Sequence, residues 1–258
     1  MKLLPLFTLS LVVSARMFAH DYGPEVTEKF SKTYPLSASG TVDIANMNGS
    51  VQVEAWDKNE VSLEAEKFSR EADGLKRIEI VVDSSNDRLV IKTKHHRNED
   101  SPWWSKDRWS NNGGVRYKLK VPAALAAFRA DVMNSNVTID GVRGDVRIKS
   151  MNGRINATGL TGDAELGTMN GAITATFASI KSGQSIRLDT MNGSCQVNVP
   201  RDASASLRAS SMNGSISCDL PITVEKSSRH TLRGLIGQGG ASITLHSMNG
   251  GLSLRRRS

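Results

Sequence analysis

The sequence predicts an all-β fold of stacked repeats, and three observations carry that prediction. A Met-Asn-Gly tripeptide recurs along the chain, apolar residues alternate with polar ones on both sides of it, and the alternation changes phase where the tripeptide falls. Composition agrees. Of 258 residues, 38% are hydrophobic and 5% aromatic, and the apolar ones fall in short alternating runs rather than helical stripes. The length suits one large all-β domain or two small ones.

Met-Asn-Gly begins at Met47, Met151, Met169, Met191, Met212 and Met248, and Met133 begins a Met-Asn-Ser variant. From Met133 onward the spacings are 18, 18, 22, 21 and 36, after an interval of 86 from Met47. Four and six residues after each Met stand apolar pairs such as Val51 and Val53, Ile155 and Ala157, or Cys195 and Val197. Five and three residues before it stand pairs such as Val42 and Ile44 or Val146 and Ile148. Each unit therefore reads as two half-buried strands around a corner. The corners are Asn48, Asn134, Asn152, Asn170, Asn192, Asn213 and Asn249. Inward positions are odd before the corner and even after it, so the chain slips by one residue there. Asn and Gly tolerate such a bend. The slip suggests that the Met thioether fills the core at the corner.

Two architectures satisfy this pattern. Asn-Gly between alternating strands is a strong hairpin signal and would give an antiparallel meander. Alternatively, each unit of about 18–22 residues is one coil of a solenoid, with equivalent strands stacked on the next coil.

Residues 54 to 121 lose the short period but keep the alternation. Val61, Leu63 and Ala65 read as a strand, as do Ile78, Ile80 and Val82, and Leu89 with Ile91. Asp83 to Asp87 is a turn cluster, and Val115 to Val121 is a strand ended by Pro122. Residues 95–114 form a polar loop carrying Trp103, Trp104 and Trp109. Glu225 to Gly240 is a second interruption, expected to be a loop or an end cover.

The N-terminus reads as a signal peptide, residues 1–19. Lys2 precedes an apolar stretch, Leu3 to Val13, that is too short to span a bilayer. Cleavage is expected after Ala19, with Ala15 as the alternative. A lead segment, 20–37, then precedes the repeat domain, 38–258. Losing Lys2 and Arg16 lowers the formal charge from +7 to +5. Export turns this positive excess toward anionic glycans or lipid headgroups rather than nucleic acid.

The stretch from Gly49 to Asp57, the repeats from Met133 to Asn213, and Leu232 to Gly240 leading into the last repeat resemble a bacterial "putative-adhesin" domain family, a domain of unknown function. Its members usually carry Thr-Val-Asn-Gly where this chain has Thr/Ser-Met-Asn-Gly. The resemblance covers roughly residues 38–255. It implies a right-handed single-stranded β-helix similar to autotransporter-type adhesin heads, and it brings no catalytic residues.

The candidate binding residues are surface ones. Arg129, Arg147, Arg187 and Arg208 stand four residues before successive corners, with Glu165 among them. In a solenoid they would form an outward column suited to an acidic polysaccharide, or a solvated face of partly paired charges. Trp103, Trp104 and Trp109 would stack on sugar rings or cap an open end. Cys195 and Cys218 hold inward positions in consecutive repeats, at offsets four and six. Coils about 4.8 Å apart and an offset of about 6.7 Å put their Cα atoms roughly 8 Å apart. That exceeds the limit of about 7 Å for a disulfide, so two free thiols are expected in a solenoid. A meander or a shifted register would reverse this.

Asp145 and Asp163 recur six residues before their corners and follow Gly, as turn residues do. His95 and His96 lack Cys or carboxylate partners at metal-ligand spacing. The sequence thus predicts no metal, no cofactor and no enzyme. The expected function is an exported cell-envelope module, periplasmic or at the cell surface, that is structural or adhesive and binds a glycan or an envelope protein. The alternatives are a polysaccharide-active enzyme on a β-helix scaffold and an envelope-signalling accessory protein.

Overall fold

The computed structural model describes residues 25–96 and 113–257. Each Met-Asn-Gly corner joins two strands that go to different sheets. The pairs are β2 (Thr41–Asn48) with β3 (Val51–Trp56), β8 (Ala127–Asn134) with β9 (Val137–Asp140), and β10 (Asp145–Asn152) with β11 (Ile155–Leu160). They continue as β12 (Ala164–Asn170) with β13 (Ile173–Phe177) and β14 (Ser185–Asn192) with β15 (Cys195–Val199). The last two are β16 (Ala205–Asn213) with β17 (Ile216–Cys218) and β20 (Ala241–Asn249) with β21 (Leu252–Arg256).

Equivalent strands pair in parallel and in register: Val146 opposes Phe128 and Ala164, and Asn152 opposes Asn134 and Asn170. This is the stacked solenoid, and the hairpin meander is excluded, because the corners lie over one another instead of at alternating ends. The inward residues of both sheets share one apolar core running from Leu89 and Leu119 at one end to Leu207 and Ile236 at the other, with Tyr117, Phe128 and Phe177 its bulkiest members.

The order of rungs departs from the order of the chain. β20 lies between β14 and β16, and β21 between β15 and β17. The interruption after β17 makes this possible. There β18 (Ile222–Ser228) and β19 (Thr231–Ile236) form a hairpin on the outer edge of β16, and the chain then returns to the inner edge. The expected end cover is therefore an antiparallel strand pair, which protects an open sheet edge.

The other end is closed similarly. β6 (Arg88–His95) pairs parallel with β2, and β7 (Gly114–Pro122) pairs parallel with β3, making a further rung. β5 (Ile78–Ser84) covers β6, and β4 (Glu60–Ser69) covers β7, both antiparallel. The lead segment supplies β1 (Val26–Pro35), antiparallel to β4. A short helix, α1 (Ala72–Lys76), links β4 to β5.

The corner explains its own sequence. Asn134 donates through Nδ2 to Asn48 Oδ1 at 2.9 Å, and Asn152, Asn170, Asn192 and Asn249 continue the ladder at 2.8 Å each. Asn213 ends it on Asn249 at 3.0 Å, and Asn48 starts it on the Gly113 carbonyl at 3.1 Å. One position before Met169, Met191, Met248 and Met212, a buried hydroxyl donates to a glycine carbonyl on the neighbouring rung: Thr168 to Gly153, Thr190 to Gly171, Ser247 to Gly193 and Ser211 to Gly250. Glycine is required there because rungs approach closely. A Cβ on Gly171 would lie 2.1 Å from the Gly153 carbonyl oxygen, and one on Gly250 would lie 1.8 Å from that of Gly193. Where Ser135 replaces glycine, the buried hydroxyls of Ser135 and Ser150 have no hydrogen-bond partner among the described residues.

The methionines correct an expectation. They face outward, not into the core: Met47, Met133, Met151, Met169, Met191 and Met212 are between 37% and 59% exposed. The inward side chain at the bend is the residue before them, a Ser or Thr at five of the seven corners, and at four of these its hydroxyl satisfies a backbone carbonyl that a thioether would leave unpaired.

These contacts rank two substitutions. Gly171→Ala should lower unfolding free energy by more than about 2 kcal/mol, because its methyl meets backbone. Asn170→Ala should lose only about 1 kcal/mol, having removed two exposed ladder bonds. Urea denaturation of the two variants checks the order.

Candidate functional site

In-register stacking turns each outward position of the eleven-stranded sheet, defined among the described residues, into a column. The column four residues before the corner reads Asp43, Arg129, Arg147, Glu165, Arg187, Thr244 and Arg208, then crosses to Arg233 and Lys226 on the end hairpin.

Most of its arginines are paired. Arg129 meets Asp43 at 3.4 Å, and Asp43 also holds Arg88 at 2.8 Å. Arg147 meets Glu165 at 3.1 Å, and Arg187 meets Asp189 on its own strand at 2.6 Å. The arginines are exposed and Asp43 is half-buried; surface pairs of this kind are worth about 0.2–1 kcal/mol each. They cancel charge more than they hold the fold.

Arg208 differs. Its neighbours in the column are Thr244 and Arg233, and Arg233 is opposite Lys226 in turn. All three cations are exposed, and none makes an ion pair among the described residues. Like charges directly opposite one another across strands repel.

Two shallow grooves flank the column. One, of about 260 Å³, runs along Arg129, Arg147 and Arg187 beside Asp145 and Asp163. The other, of about 590 Å³, lies where β5 and β6 meet β2 and mixes Asp43, Asp83 and Asp131 with Arg88, Lys92 and Arg129. Asp145 and Asp163 are engaged in stacking: Asp145 accepts from the Asp163 backbone N–H at 3.2 Å, and Asp163 accepts from that of Ser185 at 2.9 Å. His96 bonds Glu79 at 2.9 Å. Among the described residues no cluster of His, Cys, Asp or Glu could hold a metal ion.

Trp103, Trp104 and Trp109 lie outside the described residues, as does the expected signal peptide. In the chain the three tryptophans stand between β6 and β7, where the other rungs have their Met-Asn-Gly or Met-Asn-Ser corner.

Cys195 and Cys218 are both free. They are not on adjacent coils, as chain order suggested, because β21 lies between β15 and β17. Two rungs and a two-residue offset separate their Cα atoms by roughly 12 Å. Burial pushes the Cys195 thiol up to about 12, with the Asp189 charge adding to it. Cys218 is half-buried, and burial raises it too.

Sequence reasoning missed Arg233 and Lys226, which sit in a hairpin outside the repeat; pairing in the folded hairpin brings them beside Arg208. The outward methionines had a signal. Each stands four residues after an outward position, and strand alternation keeps both on one face.

The chain belongs to the Toastrack DUF4097 family, whose model matches residues 110–255, more than half of the sequence. Its fold is similar to that of a putative cell adhesion protein from Clostridium sporogenes, at 9% identity, with 90% of this chain and 100% of that one covered and a TM-score of 0.55. A putative adhesin from Bacteroides fragilis aligns over 89% of this chain and 97% of its own at 12% identity, with a TM-score of 0.39. At such identities the likeness concerns the fold alone. No curated protein matches the sequence.

Two outcomes follow from the site. With iodoacetamide at pH 8, Cys218 should label in the folded protein while Cys195 stays protected until denaturant is added, and mass spectrometry should find no disulfide-linked peptide. Arg233→Glu, which places a carboxylate between Arg208 and Lys226, should raise unfolding free energy by about 0.2–1 kcal/mol, read from the urea midpoint.

Proposed function

We propose that this protein is an exported, non-catalytic adhesive module of the cell envelope that presents the outward face of its larger sheet to an acidic partner, an anionic glycan. The observation that carries this reading is the cation row Arg208, Arg233 and Lys226, exposed on adjacent strands with no carboxylate paired to it among the described residues. A row of like charges about 4.8 Å apart weakens the bare fold and suits a regularly charged polymer laid across the strands. Arg129, Arg147 and Arg187 would extend the contact, since a polyanion can displace the weak partners they now hold. Trp103, Trp104 and Trp109 would add stacking contacts with sugar rings in this reading.

Several findings support it. A structural relative that shares the fold is named a putative cell adhesion protein. No helix among the described residues is long and apolar enough to cross a membrane. The N-terminal sequence has the pattern of a signal peptide. Asp145 and Asp163, the stacked carboxylates that a glycan hydrolase could have used, each accept a hydrogen bond from a backbone N–H of the next rung.

Biolayer interferometry against immobilised polyuronate and a neutral glucan tests the proposal. The protein should bind the polyuronate alone, with affinity falling as salt rises. A variant carrying Arg208→Glu and Arg233→Glu should lose about tenfold or more, while a Thr244→Ser control keeps full binding. Equal binding by the charge-reversed variant would rule out the cation row.

A further inference from the structure

The methionines form a column of their own. Met133, Met151, Met169, Met191, Met248 and Met212 follow one another across β8, β10, β12, β14, β20 and β16, because the residues on either side of each one pair in register: Ser150 with Thr168 and Asn152 with Asn170, Thr190 with Ser247 and Asn192 with Asn249, Ser211 with Ser247 and Asn213 with Asn249. All are exposed except Met248, which is half-buried. After Met17 the chain uses methionine only at these positions and at Met47, which continues the column beside Met133 on β2, and no corner substitutes Leu, Ile or Val. A stripe that needed only to be apolar would admit those residues. What methionine adds is a soft sulfur donor on a flexible stem.

We infer that this column binds a soft monovalent cation, copper(I), through successive thioethers. The spacing fits. A metal–sulfur bond is about 2.3 Å, so a cation held by two sulfurs needs them roughly 4–4.6 Å apart. Parallel neighbours in register stand about 4.8 Å apart, a gap that the side-chain torsions of methionine close without moving backbone. The Met191, Met248 and Met212 stretch carries an added donor. His246 is exposed two residues before Met248 on the same face, in register between Asp189 and Ser210, so its imidazole completes a site of three thioethers and one nitrogen. Thioether donors carry no charge and discriminate against hard ions such as calcium and magnesium, which require oxygen. Cys195 and Cys218 take no part, because they lie on the other sheet.

Silver(I), a redox-inert ion of the same valence and softness, is the probe. Cys195→Ala and Cys218→Ala are introduced first to remove thiol binding. This protein is titrated with silver nitrate in chloride-free buffer by calorimetry, and with copper(I) under anaerobic competition with bathocuproine disulfonate. It should take up more than one ion, and X-ray absorption should show a sulfur shell at about 2.3 Å. Changing the six methionines to Leu keeps size and apolarity and leaves the core untouched. That variant should retain its circular dichroism and urea midpoint but lose uptake, and Met191→Leu, Met248→Leu and Met212→Leu together should weaken the tightest site about tenfold or more. Uptake unchanged in a folded six-Leu variant, or no uptake by the Cys-free parent, overturns the inference. In either case the column would be an apolar contact stripe.

Discussion

Everything in this molecule depends on the close approach of one corner to the next. At six of the seven corners the glycine comes near enough to a carbonyl of the rung beside it that no side chain fits between them. That proximity lets the Ser or Thr hydroxyl reach the same carbonyl, and it lets each asparagine amide meet the next. The three residue types are thus one device. Glycine permits the approach, the hydroxyl satisfies the carbonyl left over at the bend, and asparagine keeps the spacing uniform. Because the rungs stack in parallel and in register, all other side chains are carried into columns as a consequence.

Columns concentrate whatever a position carries. On the inward side this is favourable, since apolar residues stack into a continuous core. On the outward side it forces like against like, and the chain answers with acids: Glu165 interrupts the arginines, Asp43 ends their row beside Arg129, and Asp189 neutralises Arg187 from the next column. The answer stops at Arg208, where the interleaved rung supplies Thr244 instead of an acid and the end hairpin adds Arg233 and Lys226. The methionine column is a second place where the surface keeps a residue type that folding does not require.

The interleaved rung is also the least local feature of the topology. β20 and β21 fill a slot between two rungs that are consecutive in the chain, so the core is continuous only once the C-terminal strands are seated. The hairpin of β18 and β19 sets this up, because it carries the chain around the outer edge of β16 before the return. Hydrogen bonding of Asn249 to Asn192 and Asn213 shows that the insertion preserves the ladder without a break.

The sequence by itself determined the repeat unit, its two strands, the phase slip at each corner and the outward position of Arg129, Arg147, Arg187 and Arg208. These follow from period-two alternation and from the few residues a tight bend accepts. It also located the strands of the irregular region around Val61, Ile78, Leu89 and Val115, although it did not reveal that β6 and β7 make one more rung. Tertiary structure alone decided which rungs touch. Alternation records which face a side chain takes and says nothing about which strand lies beside it. The neighbour of β14 is therefore β20 rather than β16, the two cysteines are two rungs apart, and a hairpin outside the repeat gives Arg208 its cationic neighbours.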